Sequence, residues 1–261
     1  MIRKLTEQDH EQVISFLKKE AAFNLFLIGD IEAFGYDQDF QELWGQFTIE
    51  NELHAVLLRF HDSFITYFGN SFQPEAFMNQ FINYDHIKLS GKSEVVEQFE
   101  NLTNLKLGKK LHTYFCECTV ETQLVKDTSK EDIKIATALD VDRIMHLRKQ
   151  ITEFELADNS GKLLRQAIET NTGRTYYIEK NGEIIACAST SAENSLSAMV
   201  VGVCTHPNYR GNRYASQIVS KMIQDFIAEG RTLCLFYSNP AAGRIYKRLG
   251  FEDIGTWTMY R

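Results

Sequence analysis

The chain has 261 residues, 44% of them hydrophobic, with 18 Phe, 11 Tyr, three Pro, five Cys and a formal net charge of −7. That apolar content excludes a disordered chain and suits one large domain or two smaller ones. No apolar run approaches the ~18 residues of a membrane span, the charged start MIRKLTEQDHEQV has no apolar core of a secretory signal, and the acidic balance disfavours a general nucleic-acid binder.

From the N-terminus, apolar spacing predicts helices near 8–20 and 22–34, then strands near 42–49, 53–60 and 63–69. A helix near 74–83, a strand near 86–90, a helix near 93–102 and a strand near 111–120 follow. Cys116 and Cys118, two apart on that strand, share a face and are predicted to be buried free thiols. There is no C-x-x-C pair, so neither a zinc ribbon nor a disulfide framework is expected. These features imply a reducing cytoplasm and no metal. The polar stretch Glu121–Asp132, ETQLVKDTSKED, marks a boundary, giving domains 1–127 and 128–261.

Beyond it, IKIATALDVDRIMHLR (133–148) echoes IRKLTEQDHEQVISFL (2–17) at an offset of 131 residues, with Ile2, Thr6 and Asp9 meeting Ile133, Thr137 and Asp140. Both segments predict a short strand, an acidic cap and an amphipathic helix, which suggests a diverged duplication. A second helix carries Leu163, Leu164, Ala167 and Ile168. Strands Arg174–Glu179 and Glu183–Thr190 flank Asn181-Gly182, a strong hairpin signal. Asn194-Ser195 turns into a strand over Ser197–Thr205. A helix from about 213 to 229, a strand Thr232–Tyr237, a helix Ala241–Leu249 and a strand Phe251–Tyr260 complete the chain. An antiparallel meander followed by β-α-β-α-β implies an α/β fold with a mixed sheet and helices on both faces.

The informative segment runs from Val201 to Phe251. An apolar strand stops at His206-Pro207, and Asn208-Tyr209-Arg210-Gly211-Asn212-Arg213-Tyr214-Ala215 leads directly into the best amphipathic helix. A glycine-bearing loop at a helix N-terminus is an anion site, and a pyrophosphate is its natural occupant. An ordinary strand-to-helix connection also favours Gly and Asn. Further on, a second apolar strand ends at Ser238-Asn239-Pro240, followed by Tyr246 and Leu249-Gly250-Phe251.

This part of the chain, about residues 131–261, resembles the GNAT superfamily of acyl-CoA N-acyltransferases. That family's phosphate loop, Arg/Gln-x-x-Gly-x-Gly/Ala, is matched by Arg210 at its first place and Ala215 at its last. Its Asn followed seven residues on by Tyr, then Leu-Gly-Phe, appears as Asn239, Tyr246 and Leu249-Gly250-Phe251. Arg213 stands where the loop's middle glycine is expected. The residue costs about 1 kcal/mol or more if that place needs a left-handed backbone; it offers a cation to the phosphates, or merely faces solvent if the place is already helical.

The resemblance implies two tandem GNAT-like lobes, with catalysis in the second. It implies that acetyl-CoA is bound by Val203, Cys204, Thr205, Arg210, Gly211, Asn212, Arg213, Tyr214, Ala215 and Ser216, with Asn239 and Tyr246, CoA being the product. Strands Met199–Thr205 and Leu233–Ser238 would splay around the pantetheine arm, and an N–H near Val203 would polarise the thioester. Tyr246 would protonate the departing thiolate, or else simply pack its ring; Asn239 would bond the pantetheine or fix a water, or else cap the end of the strand, since Asn-Pro commonly starts a turn. Cys204 is expected in the core rather than as a nucleophile. The general base is not legible: Glu153, Glu155 and Asp158 suit exposed charges, and His206 before a proline is an incidental candidate.

The first half carries neither motif. Its strand Ser63–Phe68 is followed by Gly69-Asn70-Ser71-Phe72-Gln73-Pro74, so it is expected to be a degenerate copy. The predicted activity is acyl transfer, most simply of acetyl, to a primary amine of a small molecule or peptide. The alternatives are a CoA-binding sensor without turnover and an aminoacyl-tRNA-dependent peptidyltransferase, against which the acidic total argues. No membrane or nucleic-acid partner is expected, and the oligomeric state is left open, a homodimer included.

Overall fold

A computed structural model describes residues 1–69, 73–119 and 131–261. Two compact units make up the chain. One comprises Met1–Phe115 with Ile254–Arg261, the other Cys116–Asp253. The boundary expected between 127 and 128 lies outside the described residues.

In the first unit, β1 (Ile2–Lys4) leads to α1 (His10–Leu17) and α2 (Leu25–Phe34). The short β2 (Asp37–Gln38) precedes the meander β3 (Gln41–Phe47), β4 (Leu53–Phe60) and β5 (Ser63–Phe68), and β6 (Lys88–Lys92) and α3 (Ser93–Val96) follow. β1 pairs antiparallel with β3, the meander is antiparallel throughout, and β5 pairs parallel with β6. The helix expected over 74–83 is a 3-10 helix, Pro74–Phe81, and the one over 93–102 is a single α-turn continued as 3-10 helix to Asn101. β7 (Lys110–Cys118) closes this half of the sequence, its last three residues belonging to the second unit. Phe64, Phe77, Phe81 and Phe99 form the centre of this unit's aromatic core.

The second unit opens with β8 (Ile133–Ile135), α4 (Val141–Lys149) and α5 (Ser160–Glu169). β9 (Thr175–Lys180), β10 (Glu183–Ser191) and β11 (Ser197–Thr205) form an antiparallel meander. α6 (Tyr214–Ala228), β12 (Thr232–Tyr237), α7 (Pro240–Arg248) and β13 (Glu252–Tyr260) complete the chain. Asn181 and Gly182 take positive φ of 54° and 82°, which makes the β9–β10 connection the primed turn that Asn-Gly predicts. α6 forms because Ile218, Val219, Met222, Ile223 and Phe226 recur at helical spacing, and all five are buried against Tyr176, Ile185, Ala188 and Leu233. A separate cluster packs Val141, Ile144 and Leu147 of α4 on Tyr177, Ile184, Cys187 and Cys204. Alternate residues of β9 and β10 therefore serve opposite faces, as a strand period of two requires.

The repeat seen at an offset of 131 has a structural counterpart. β1, the 3-10 turn Glu7–Asp9 and α1 correspond to β8, the turn Ala138–Asp140 and α4. At both places the threonine N–H and hydroxyl donate to the aspartate three residues on: Thr6 to Asp9 at 2.9 and 3.2 Å, Thr137 to Asp140 at 2.9 and 3.0 Å. The sequence keeps all of 128–261 in one domain, whereas Ile254–Arg261 groups with the first unit. The reason is pairing: Trp257–Met259 of β13 runs antiparallel to Ser90–Lys92 of β6, and the buried Trp257 ring lies 6.0 and 5.8 Å from those of Phe26 and Phe115.

Candidate functional site

β11 and β12 pair in parallel only over Ser197–Met199 and Thr232–Cys234. Their remaining residues, Val200–Thr205 and Leu235–Tyr237, share no ladder, so β11 presents unpaired backbone on the side towards β12. In the middle of that stretch the β10–β11 register slips: Cys187 faces Cys204 but Ser189 faces Val201. Two residues, Gly202 and Val203, thus stand opposite Ala188 alone, a β-bulge of the kind that re-aims backbone groups. Gly202 has φ of +62°, a conformation that glycine adopts without a steric penalty.

Past β11 the chain makes a 3-10 turn, Pro207–Tyr209, capped by His206, whose Nδ1 accepts the Asn208 N–H at 3.2 Å. Its Nε2 lies 2.7 Å from the Gln150 side-chain oxygen. Both ring nitrogens are thus engaged within the protein, which assigns His206 to structure. Gly211 has φ of +85°, and Arg213 sits in the left-handed region at φ 61°, ψ 18° as the N-cap of α6. The expectation that this place might already be helical is therefore corrected: it demands the backbone a glycine would supply, and an arginine occupies it. The Arg213 side chain is exposed. The first helical bond of α6 runs from Gln217 N–H to the Arg213 carbonyl. The N–H groups of Tyr214, Ala215 and Ser216 therefore have no acceptor within the helix.

These groups face a cleft of about 440 Å³ lined by Thr205, Tyr209, Arg210, Gly211, Arg213, Tyr214, Ala215, Ser216, Ile245, Arg248 and Leu249. Three arginines and no carboxylate line it, in a chain whose net charge is −7. Lys180 fixes the start of α6: its ammonium donates to the Tyr214 hydroxyl at 2.6 Å and lies 4.7 Å from the ring centre.

Seven of the residues singled out from the sequence meet in this cleft: Thr205, Arg210, Gly211, Arg213, Tyr214, Ala215 and Ser216. Asn212 turns its amide back to the carbonyls of Tyr209 and Arg210 and shapes the loop instead. Val203 belongs to the bulge and packs on the α6 cluster, while the buried Cys204 side chain joins the α4 cluster. The Cys204 Sγ lies 3.5 Å from that of Cys187. Hydrogen bonding to Cys187 and burial raise its pKa, so it is no thiolate nucleophile. Cys116 and Cys118 are buried free thiols, as expected.

Asn239 does not reach the cleft lining. Its side-chain oxygen accepts the Ala241 N–H at 2.8 Å and caps α7. The Tyr246 ring packs near Tyr237 and Phe251, with centroids 6.4 and 6.0 Å away, and burial raises its pKa. Its hydroxyl bonds to nothing among the described residues. Of the acidic candidates, Glu155 and Asp158 are exposed. Glu153 is bound to Arg210 at 3.0 Å, which holds its carboxylate below the usual range.

The sequence reading missed Tyr209, Ile245, Arg248 and the bulge glycine. Ile245 and Arg248 are three apart and so share a face of α7; a glycine inside an apolar strand is itself a bulge signal.

Residues 141–251 match the model of the Acetyltransferase (GNAT) family. Over that stretch, less than half of the chain, the sequence is similar to the family. No curated protein matches the chain in sequence. Among solved structures, a Drosophila protein superposes with a TM-score of 0.69 at 12% identity, covering 100% of this chain and 98% of its own. A GCN5-related N-acetyltransferase from Sphaerobacter thermophilus gives 0.64 at 11%, covering 100% and 94%. A GCN5-related N-acetyltransferase-like protein from Streptococcus suis gives 0.58 at 14%, covering 98% and 99%. At these identities the likeness is one of fold, and it extends over both halves of the chain. The cleft at the start of α6 lies wholly inside the matched stretch.

Proposed function

We propose that the chain is an acyl-CoA-dependent N-acyltransferase that moves an acetyl group from acetyl-CoA to a primary amine of a small molecule or peptide. The observation that carries this reading is the cleft at the α6 N-terminus, where three N–H groups without a helical acceptor, a helix dipole and three arginines line one wall, Glu153 pairing with Arg210 from outside the lining. Arg210, Arg213 and the N–H groups of residues 214–216 bind the pyrophosphate. The unpaired edge of β11 takes the amides of the pantetheine arm as an added strand would be taken. An N–H of the bulge near Val203 polarises the thioester carbonyl. The neutral amine attacks that carbon directly, the C–S bond breaks, Tyr246 gives its proton to the departing sulfur, and the proton that the nitrogen loses as the amide forms passes to solvent, from which Tyr246 is reprotonated. Asn239 acts from the cap of α7, through the amide nitrogen that its capping bond leaves unused.

The first unit is a degenerate copy in this scheme. Its only described residues between β5 and the 3-10 helix are Gly69 and Gln73; Asn70–Phe72 lie outside the described residues. Pro74 opens that helix and lacks one of the N–H donors a phosphate would use.

The test is an acetyl-CoA turnover screen across polyamines, aminoglycosides, amino acids and peptide N-termini. Amine-dependent release of CoA is expected. CoA binding without turnover on any amine would leave a CoA-binding sensor, and absence of CoA binding at millimolar ligand would remove both readings. A filter-binding assay with aminoacyl-tRNA, expected to be negative, tests the peptidyltransferase alternative.

A further inference from the structure

A cation lies at the β11 bulge, three residues before the strand reaches the arginine cleft. Arg148, near the end of α4, lays its guanidinium on the bulge: a Cβ built on Gly202 would lie 2.7 Å from Nη2 and 3.0 Å from Cζ. Nη2 donates to the Ser189 hydroxyl at 2.6 Å, and that oxygen lies 2.5 Å from the hydroxyl of Thr175. Both hydroxyl residues are buried. The Arg148 Nε is buried with no hydrogen-bond partner, and Arg148 forms no ion pair among the described residues. The remaining neighbour is the Cys187 thiol, which bonding with Cys204 draws below its usual pKa, against burial and with help from the Arg148 charge.

Arg148 therefore sits half-buried in a cup of hydroxyls and thiols with no counter-ion. Such a cation carries a desolvation cost that the Ser189 bond and the Cys187 thiol offset only in part. Its planar fork matches a carboxylate. A pyrophosphate over residues 210–216 does not supply that anion, since Thr205 alone is three strand residues, about 10 Å, from Gly202. On the acyl-CoA reading above, the bulge is instead where the thioester and the attacking amine would meet.

We propose that Arg148 binds a carboxylate at the reacting centre, carried either by the amine acceptor or by the acyl group. This rests on the acyl-CoA reading above. In the first case the acceptors are amino acids or other amines with a nearby carboxylate; in the second the donor is a dicarboxylic acyl-CoA.

Two arms distinguish these sources in the full-length protein. One compares amino acids with their amides and decarboxylated amines, using acetyl-CoA. The other compares succinyl-CoA with acetyl-CoA, using simple amines. CoA titration of the wild type, Arg148→Met and Arg148→Lys runs alongside. A charge-assisted bond of this kind predicts a preference of about 10- to 100-fold in kcat/KM for the carboxylate-bearing partner in one arm. It should shrink to about twofold in Arg148→Met, with CoA affinity kept within about threefold. If Arg148→Met does not fold, Arg148→Lys carries the test: the charge stays, the fork is lost, and the preference falls about threefold or more. Equal rates with and without the carboxylate in both arms of the wild type overturn the inference. So does a preference that survives unchanged in either variant. Failure of the wild type to bind CoA fails the acyl-CoA reading itself, and is seen before any substrate is compared.

Discussion

At the scale of single residues, Arg213 separates stability from binding. Its left-handed backbone costs an arginine about 1–2 kcal/mol, while its exposed side chain makes no bond within the described residues. Arg213→Gly removes that strain at the expense of a more flexible unfolded chain. The unliganded protein should gain about 0.5 kcal/mol, read as a small rise in Tm, while CoA affinity falls by up to about tenfold through loss of a cation. A lower Tm would mean that the side chain holds the loop through contacts worth more than the strain. Tyr246 offers a second separation. Tyr246→Phe keeps the ring that packs near Tyr237 and Phe251 and removes only the hydroxyl. Turnover should fall by about 10²–10⁴, with CoA affinity within about threefold. Because burial raises the Tyr246 pKa above its ordinary 10.0, the proton it donates is retained through neutral and mildly alkaline pH. The alkaline limb of kcat should therefore begin no earlier than about pH 10; an unchanged kcat in Tyr246→Phe assigns the residue to packing.

At the scale of elements, the two capping motifs hold the first turn of each unit's leading helix. Arg3 binds Asp9 through two bonds of 2.8 and 2.6 Å, and with the Thr6 donors it lowers the Asp9 pKa from 3.8 to about 2. A carboxylate whose folded pKa is depressed stabilises the fold above its unfolded pKa and loses that contribution as pH falls through the folded value. The contribution of Asp9 is thus complete above about pH 4 and vanishes toward pH 2. Asp9→Asn should cost about 0.5–2 kcal/mol at neutral pH. Its denaturation midpoints should also fall less than those of the wild type between pH 4 and pH 2; parallel curves would show that the Arg3 pair adds nothing in solution. Asp140, which bonds Arg143 at 3.1 Å, is lowered in the same direction.

At the scale of the molecule, the two halves share an element order, and the proposed CoA site lies in the second. Calorimetry should give one CoA per chain. At a hundredfold excess over Kd the ligand should add about 2.7 kcal/mol to stability. Arg210→Glu should weaken binding sharply, because it reverses a cleft charge and sets two carboxylates, Glu153 included, against the phosphates. Lys88→Glu, in the first unit, should leave affinity within about threefold. Two CoA molecules per chain would overturn the assignment of the site to the second unit alone.

The helix α6, its glycine-bearing loop, the Asn-Gly hairpin and the paired capping motifs were legible in the sequence. Each is written in local chemistry: a 3.6-residue apolar period, a residue that tolerates positive φ, a threonine three places before an aspartate. The family motifs fall on the α6 end of the cleft for the same reason, since a loop and the helix it opens are contiguous. What lay beyond the sequence depends on strands and helices distant in the chain. Pairing of β13 with β6 is a matter of which edge is available, and no residue of β13 announces its partner. The bulge at Gly202 exists only against the register of β10. Arg148 acquires its place from the packing of α4 on β10 and β11, and its lack of a counter-ion is a property of the assembled cup. Asn239 and Arg210 were identified as residues but not in their bonds, because the α7 cap and the Glu153 pair become visible only when side chains are set in space.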